Sequence, residues 1–161
     1  MMRLIVVCDR KRGIAKRGFQ PWYIPEDEKY FTDKTKSLGG IVVVGSTTYK
    51  TFRGPLVDRE NYVLTSHPEP IKGVHVVNDL AKFLEDFKDK DVWVVGGAAV
   101  FEEVMKAGKA DLLYITRIDA DFGCDQFFPE YEKDFKLIEQ CKPREQNGFS
   151  FTYAKYAKKP A

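Results

Sequence analysis

Three acidic side chains stand together in the segment QPWYIPEDEKYF, which covers residues 20–31. Pro25 suits the first turn of a helix, where acidic side chains are common because they offset the partial positive charge of the N-terminus. The simplest interpretation is therefore a solvated helix start. Residues three and four positions apart share a helical face, however, and only Asp27 has an aromatic residue at both offsets, Tyr30 and Phe31. We expect Asp27 to face the core, where a buried carboxyl group with a raised pKa can assist proton transfer.

A glycine pair forms the second candidate. Gly96 and Gly97 follow the apolar run VWVV and precede AAVFEEVMK, a stretch with helical spacing. Backbone N–H groups at such a helix start can bind a phosphate group. A strand-to-helix turn that needs flexible glycines explains the pair equally well, and the third glycine of a Rossmann fingerprint is missing. Both interpretations stay open on these residues alone.

Five basic residues lie between positions 10 and 17, inside the segment DRKRGIAKRGFQP at residues 9–21. As an isolated string they could form a nucleic-acid patch. Gly13, Ile14 and Ala15 split the charges, however, and an apolar strand and the acidic helix start lie on either side. We therefore interpret the segment as a loop and expect no nucleic-acid partner.

The elements that must position these residues are short apolar strands alternating with helices. The predicted strands are RLIVVC near the start and residues 40–45, 61–66, 74–77 and 92–97. The predicted helices are residues 26–36, a short one near Thr47, residues 80–87 and residues 98–106. Such alternation indicates an α/β fold with a largely parallel sheet.

The last third of the chain has a different character. LLYITRI, DFKLIEQCK and GFSFTYAKYAK follow one another without a helical pattern between them, which predicts antiparallel pairing at one edge of the sheet. We expect one domain over residues 1–161, built on a single mixed, mostly parallel sheet of about eight strands flanked by about four helices.

Composition excludes several classes of protein. The 26 basic and 24 acidic residues are spread along the chain and leave a formal charge of +2, so no strong global field favours nucleic acid or a membrane. The three cysteines lack a CxxC spacing and are too few to staple a secreted fold. The first apolar run is too short for a signal peptide or membrane span. These features together predict a cytoplasmic protein. We expect no metal site, because His67 and His75 have no metal-ligand spacing.

Several segments in sequence order resemble the dihydrofolate reductase family. Pro21-Trp22, Pro25 and a carboxylate four residues before Phe31 resemble its active-site helix. The segments VVVGSTTYKTF, RGPLVDREN, VVGGAAVFEE and LYITRIDADFGCDQFFP match its later motifs in order, so the similarity spans nearly the whole chain. The resemblance implies NADPH-dependent hydride transfer to 7,8-dihydrofolate, giving tetrahydrofolate for one-carbon metabolism and for thymidylate and purine synthesis. It also implies antifolate binding, and we expect a monomer.

The resemblance assigns roles to individual residues. Asp27 would accept the adjacent ring N–H and exocyclic amine of the pterin, Thr116 would bridge that carboxylate and the amine, and Trp22 would form a wall with an ordered water. Arg59 would clamp the α-carboxylate of the folate glutamate, although spacing alone fits a surface arginine equally well. The implied catalytic residues are Asp27, Trp22 and Thr116, and the implied substrate-binding residues are Ile5, Val6, Asp27, Phe31, Phe52, Leu56, Arg59 and Thr116.

For the cofactor, the resemblance makes residues 9–21 a mobile loop that closes over nicotinamide and excludes water. It also implies a cis peptide bond between Gly96 and Gly97. The implied cofactor-binding residues are Val7, Ile14, Ala15, Gly45, Ser46, Thr47, Thr48, Thr65, Ser66, His67, Val95, Gly96, Gly97, Ala98, Ala99 and Val100.

Three positions depart from the family pattern. Ser46 and Ala99 stand where the family usually carries arginines that bind cofactor phosphates, so NADH use is open beside NADPH. We hypothesise that the basic residues at 10–17 partly restore positive potential there. Glu28 replaces a commonly apolar residue, which would alter benzoyl packing and antifolate binding.

Two other functions fit parts of this pattern. A related reductase of a pyrimidine intermediate in riboflavin synthesis shares the fold and cofactor but lacks the Trp-Pro-carboxylate-Phe helix. A non-catalytic pterin or nucleotide binder would keep the pocket without a proton relay. The presence of Asp27 and Thr116 argues against both.

Overall fold

The computed structural model describes residues 1–67 and 69–160. Eleven strands and four helices follow one another along these residues. The strands are β1 (Met2–Cys8), β2 (Gly13–Ala15), β3 (Ile41–Gly45), β4 (Glu60–Leu64), β5 (His75–Val77), β6 (Val92–Val94), β7 (Leu112–Ile118), β8 (Gln126–Phe127), β9 (Phe135–Gln140), β10 (Arg144–Gln146) and β11 (Phe149–Lys158). The helices are α1 (Pro25–Lys36), α2 (Ser46–Tyr49), α3 (Leu80–Asp86) and α4 (Ala98–Lys106).

Nine of the strands form one mixed sheet in the order β10-β11-β7-β1-β6-β3-β4-β5, with β9 paired to β11. The pairs from β7 through β1, β6, β3 and β4 to β5 are all parallel. Val42, Val43 and Val44 of β3 are fully buried, because both faces of a parallel sheet are covered. This confirms the predicted α/β fold and the apolar runs that indicated it.

The antiparallel edge is also confirmed, since β11 pairs with β7, β9 and β10 in antiparallel register. One pairing was not predicted from the sequence. β2 and β8 form a separate two-stranded sheet between the 9–21 loop and the segment after β7. Strands of three and two residues are too short to show a period, so no local pattern could have indicated them.

Alternation along β1 divides the core between the two faces of the sheet. Leu4 and Val6 belong to the larger apolar cluster, whereas Ile5 belongs to a second cluster with Trp93 and Tyr114. Tyr30 and Phe31 of α1 pack against this second cluster. The helix that carries Asp27 therefore lies on the Ile5 face. Among the described residues, no helix is long and apolar enough to span a membrane.

Candidate active site

The three acids at the start of α1 have three different environments. Asp27 is buried, with 7% of its surface exposed, while Glu28 points to solvent. Glu26 forms an ion pair with Arg144. The helical spacing therefore identified the inward-facing acid correctly.

Thr116 of β7 supplies a hydrogen bond to this carboxylate. Its hydroxyl donates to Asp27 Oδ1 at 2.8 Å, and both groups are buried. Within the described residues this is the one hydrogen bond that the carboxylate accepts, so Oδ2 remains available to a ligand. The strand register places Val7 of β1 and Tyr153 of β11 on either side of Thr116.

Burial dominates the electrostatics of Asp27. It raises the pKa of this carboxyl group from 3.8 to about 6, because a charged carboxylate is poorly solvated there. The hydrogen bond from Thr116 opposes the shift, and the charges of Glu28 and then Glu26 add to it. About a tenth of the Asp27 carboxyl groups are therefore neutral at pH 7, far more than for an ordinary aspartate, and this neutral form can assist a proton transfer.

Trp22 lies near the N-terminus of this helix, and its ring packs against Phe122 with 5.2 Å between centroids. The indole is 9% exposed, and its Nε1–H is buried without an acceptor among the described residues. A buried N–H of this kind needs a water or a ligand atom as its partner. The geometry fits the wall and water-holding role that the resemblance implies.

The predicted apolar walls divide into two groups. Phe31 and Leu56 pack on the cluster that contains Ile5, and the structure brings these three together. The ring of Phe52 packs edge-on against the ring of Tyr49, with 5.9 Å between the ring centroids. The Val6 side chain faces the opposite side of the sheet from Ile5, so a substrate contact by Val6 stays a prediction for its backbone.

Arg59 lies beyond this apolar region and is held in a fixed orientation. Its Nη1 donates to Thr35 Oγ1 and its Nε to the Val57 carbonyl, both at 2.9 Å. Asn61 is buried and exchanges hydrogen bonds with the Leu56 backbone at 2.9 and 3.0 Å, which shapes the turn that carries Arg59. The guanidinium group is thus preorganised, with Nη2 free of hydrogen bonds among the described residues.

The glycines predicted for the cofactor lie together where β3 and β6 end. The Gly96–Gly97 peptide bond is cis, as the resemblance implies. A Cβ on Gly97 would lie 2.5 Å from Thr48 Oγ1, and one on Gly45 would lie 3.0 Å from a Val100 methyl group. Gly97 must therefore be a glycine for α2 to approach this turn. The turn lies at the carboxyl ends of the strands, and this is the edge of an α/β sheet where nucleotides bind.

An open cavity of about 740 Å³ extends from these strand ends. Its lining includes three of the predicted cofactor residues, Ser46, Thr65 and Ser66. Thr47, His67 and Ala99 are exposed and do not line it, so their cofactor contacts stay predictions. The hydroxyl groups and the glycine turn fit a dinucleotide whose phosphates bind backbone N–H groups and whose adenosine enters this cavity.

The 9–21 loop is tied to the segment that follows β7. Ile14 is buried in β2, Ala15 is half-buried, and the Ala15 carbonyl accepts a hydrogen bond from the Asp125 N–H at 3.0 Å. Arg10 pairs with Asp119 at 2.7 Å and Lys11 with Asp121 at 2.9 Å. These two basic residues are therefore neutralised locally, which does not support the hypothesis that the loop supplies positive potential to the cofactor.

Several residues at the site were not predicted from the sequence, among them Tyr153, Asp79 and Glu103. Tyr153 stacks on Tyr30 with 4.0 Å between ring centroids, and its hydroxyl is buried without a partner among the described residues. Alternation in β11 together with the antiparallel pairing could have placed Tyr153 opposite Thr116. Asp79 and Glu103 line the cavity, and no local signal separates them from other surface acids.

A mixed α/β sheet with a glycine-lined cleft at its strand ends and one buried acid beside it defines a nucleotide-binding enzyme of the α/β class. A family model described as dihydrofolate reductase matches residues 1–158. The chain belongs to the dihydrofolate reductase family. Members of this family are NADPH-dependent oxidoreductases that reduce 7,8-dihydrofolate to tetrahydrofolate for one-carbon metabolism, and this is the reaction of the present chain.

Individual members of the family are similar to this chain over almost their full length. The dihydrofolate reductase of Bacillus subtilis is 33% identical over 164 residues, which cover 99% of this chain and 95% of the relative. The enzyme of Drosophila melanogaster is 35% identical over 170 residues, covering 93% of each chain. The structure is similar to that of dihydrofolate reductase from Enterococcus faecalis complexed with NADP(H) and RAB-propyl, with a TM-score of 0.87, 28% identity and coverage of 99% of this chain and 97% of that chain.

Proposed function

We propose that Asp27 is the acid on which the reduction of dihydrofolate by this chain depends. The observation that carries the proposal is the buried pair of Asp27 and Thr116, with one hydrogen bond of 2.8 Å and a pKa of about 6 for the carboxyl group. The free Oδ2 and the remaining lone pair of Oδ1 can together accept the ring N–H and the exocyclic amine of a 2-amino-4-oxopterin. Thr116, whose proton is committed to Asp27, would use its oxygen to accept from the amine.

Bound NADPH supplies the hydride, and this chain must direct a proton to the nitrogen next to the carbon that receives it. Two carboxyl groups are buried in the described part of the chain, Asp27 and Asp9. Asp9 accepts hydrogen bonds from three backbone N–H groups, whereas Asp27 accepts one from Thr116 and keeps Oδ2 free. The neutral form of Asp27 therefore favours that transfer. Trp22 would hold a water through its buried Nε1–H. The loop that contains Ile14 and Ala15 would exclude bulk water, because the pairing of β2 with β8 holds it beside the site.

Substrate position would be set at the other end by Arg59. Its guanidinium group is oriented by two hydrogen bonds and can bind the α-carboxylate of the folate glutamate with Nη2. Ile5, Phe31, Phe52 and Leu56 would form the apolar walls for the pterin and benzoyl groups. Glu28, exposed one residue after Asp27, would place a charge at the entrance and alter antifolate affinity.

For the cofactor, we propose that Gly45, Thr48, Gly96, Gly97, Ala98 and Val100 form the phosphate turn, while Val7, Ile14, Ala15 and Val95 surround nicotinamide. Ser46, Thr65 and Ser66 would bind the adenosine end. The family uses NADPH, and the E. faecalis relative is a complex with NADP(H). Because Ser46 and Ala99 carry no charge, we propose that this chain also uses NADH.

The test follows the loss of nicotinamide absorbance with purified protein, dihydrofolate and NADPH. We expect Asp27→Asn to fold and to lose roughly 10²–10⁴-fold in rate near neutral pH, the range for removal of a general acid. Glu28→Gln removes the same charge one residue later at an exposed position and is the matched control. A nearly unchanged rate in Asp27→Asn, or an equal loss in both variants, would show that another group serves.

We further propose that the chain acts as a single-domain cytoplasmic monomer without nucleic-acid or membrane partners. The formal charge of +2, the local pairing of Arg10 and Lys11 with acids, and the three free cysteines support this. Light scattering during size-exclusion chromatography should give a mass near 18.5 kDa, and a mass of twice that value would contradict the monomer.

A further inference from the structure

The cavity beside the glycine turn carries negative charge. Ser46, Thr65 and Asn78 follow the carboxyl ends of β3, β4 and β5 directly, so the cavity occupies the edge of the sheet where nucleotides bind. In the described part of the chain, the two charged residues among those that line it are Asp79 and Glu103. The remaining lining residues are polar or apolar without charge.

The one lysine of α3 and the one lysine of α4 each form an ion pair with another acid, although Lys82 also interacts with Asp79. Lys82 of α3 is paired with Asp86, and Lys106 of α4 with Glu102, each at 2.7 Å. Asp79 is the N-cap of α3. Its Oδ1 accepts a hydrogen bond from the Lys82 backbone N–H at 3.0 Å, and its Oδ2 accepts no hydrogen bond among the described residues. Glu103 is exposed on α4, one turn from the helix start. Both acids can therefore present a carboxylate oxygen to the cavity.

We infer that Asp79 and Glu103 are specificity-determining residues that reduce the preference of this enzyme for NADPH over NADH. A carboxylate accepts hydrogen bonds from the hydroxyl groups of an unphosphorylated adenosine ribose, whereas a 2′-phosphate requires cationic partners. Two carboxylates that line the same cavity repel a phosphate dianion and favour the free 2′-hydroxyl group. The hydroxyl groups of Ser46, Thr65 and Ser66 bind either form and contribute little to the choice.

This inference rests on the proposed use of both cofactors. Its test compares kcat/KM for NADPH and for NADH with saturating dihydrofolate in the unmodified protein and in Glu103→Gln, Asp79→Asn and the double variant. Asparagine at position 79 keeps the N-cap hydrogen bond, since Asn and Asp cap equally well. Glu130→Gln is the matched control, because it makes the same change in net charge at an exposed residue that forms no ion pair in the described part of the chain and does not line the cavity.

The expected ratio of the two kcat/KM values, NADPH over NADH, is below about 10 in the unmodified protein. Glu103→Gln and Asp79→Asn should each raise the ratio about 3- to 10-fold, since removal of one nearby charge has effects of this order in a partly solvated site. Glu130→Gln should change the ratio less than about 2-fold. Calorimetric titration with adenosine 2′,5′-bisphosphate and with 5′-AMP should show the same selective gain for the 2′-phosphate without any turnover.

A ratio of about 10 or more in the unmodified protein, or an equal effect of Glu130→Gln, overturns the inference. A variant that strengthens the binding of adenosine 2′,5′-bisphosphate and of 5′-AMP by the same factor also overturns the inference. If Asp79→Asn lowers stability, Glu103→Gln at its exposed position still decides the outcome. Absence of turnover with either cofactor in folded protein would overturn the proposed function instead, and the two adenosine ligands would still test the role of the acids.

Discussion

The buried carboxyl group of Asp27 should destabilise the folded protein at neutral and alkaline pH, and this cost can be measured. The pKa of Asp27 is about 6 in the folded protein, against an ordinary value of 3.8. The folded state therefore binds this proton more tightly than the unfolded state, so the free energy of unfolding falls as pH rises from about 4 to about 6. A difference of about two pKa units corresponds to roughly 3 kcal/mol at pH 7 and above.

The substitution Asp27→Asn removes this titration with little change in shape. Urea unfolding of both proteins at several pH values between 4 and 8 gives the change in the free energy of unfolding at each pH. We expect the change in the free energy of unfolding caused by Asp27→Asn to be more stabilising at pH 8 than at pH 4 by about 2.5 kcal/mol, because the unfolded carboxyl group is already more than half ionised at pH 4. Any cost of the buried amide cancels in this difference, because that cost does not depend on pH.

Glu28→Gln is the control, because it removes the charge of an exposed neighbour and keeps the Asp27 carboxyl group, so most of the fall in the free energy of unfolding between pH 4 and pH 8 should persist. If the effect of Asp27→Asn were the same at pH 4 and pH 8, the carboxyl group of Asp27 would titrate normally. Burial would then not make Asp27 a proton donor.

Three further predictions concern the site. With the unmodified protein, the rate of hydride transfer should fall as pH rises through about 6. Thr116→Val removes the hydrogen bond that lowers the pKa of Asp27 and should move this midpoint up by roughly one to two pH units. An unmoved midpoint in stopped-flow measurements of hydride transfer would contradict this prediction. Gly97→Ala should destabilise the protein by about 1–3 kcal/mol in urea unfolding because its Cβ would lie 2.5 Å from Thr48 Oγ1, and Thr48→Ala in the same chain should recover most of the loss. Arg59→Gln should raise the KM for dihydrofolate about 10- to 100-fold with little change in kcat, whereas a dihydropterin without the glutamate should show no change; a loss with both substrates would place Arg59 elsewhere.

The identity of the buried acid could be predicted from residue spacing. A helix repeats every 3.6 residues wherever it lies, so Asp27 was separated from Glu26 and Glu28 by the aromatic residues that follow it. Its partner could not be predicted in that way. Thr116 lies 89 positions further along the chain, and only the pairing of β7 with β1 and β11 brings it to the carboxylate.

The sheet and the cofactor cleft show the same division. Apolar runs such as that of β3 predicted the parallel core, because continuous burial needs continuous apolar sequence. The strands β2 and β8 are too short for any pattern and depend on a contact between distant loops. Ser46, Thr65 and Ser66 were predicted at the cofactor from ordered motifs, whereas Asp79 and Glu103 looked like ordinary surface acids.

By itself, then, the sequence determined the order of the elements, the glycine turn and which of the three acids at the start of α1 faces inward, because each depends on neighbours within one or two helical turns. Tertiary structure decided the raised pKa of Asp27, the partner of its carboxylate and the sign of the charge in the cavity beside the glycine turn. Burial and electrostatic potential sum over groups from many parts of the chain. They therefore acquire a value only when the strands and helices have been packed together.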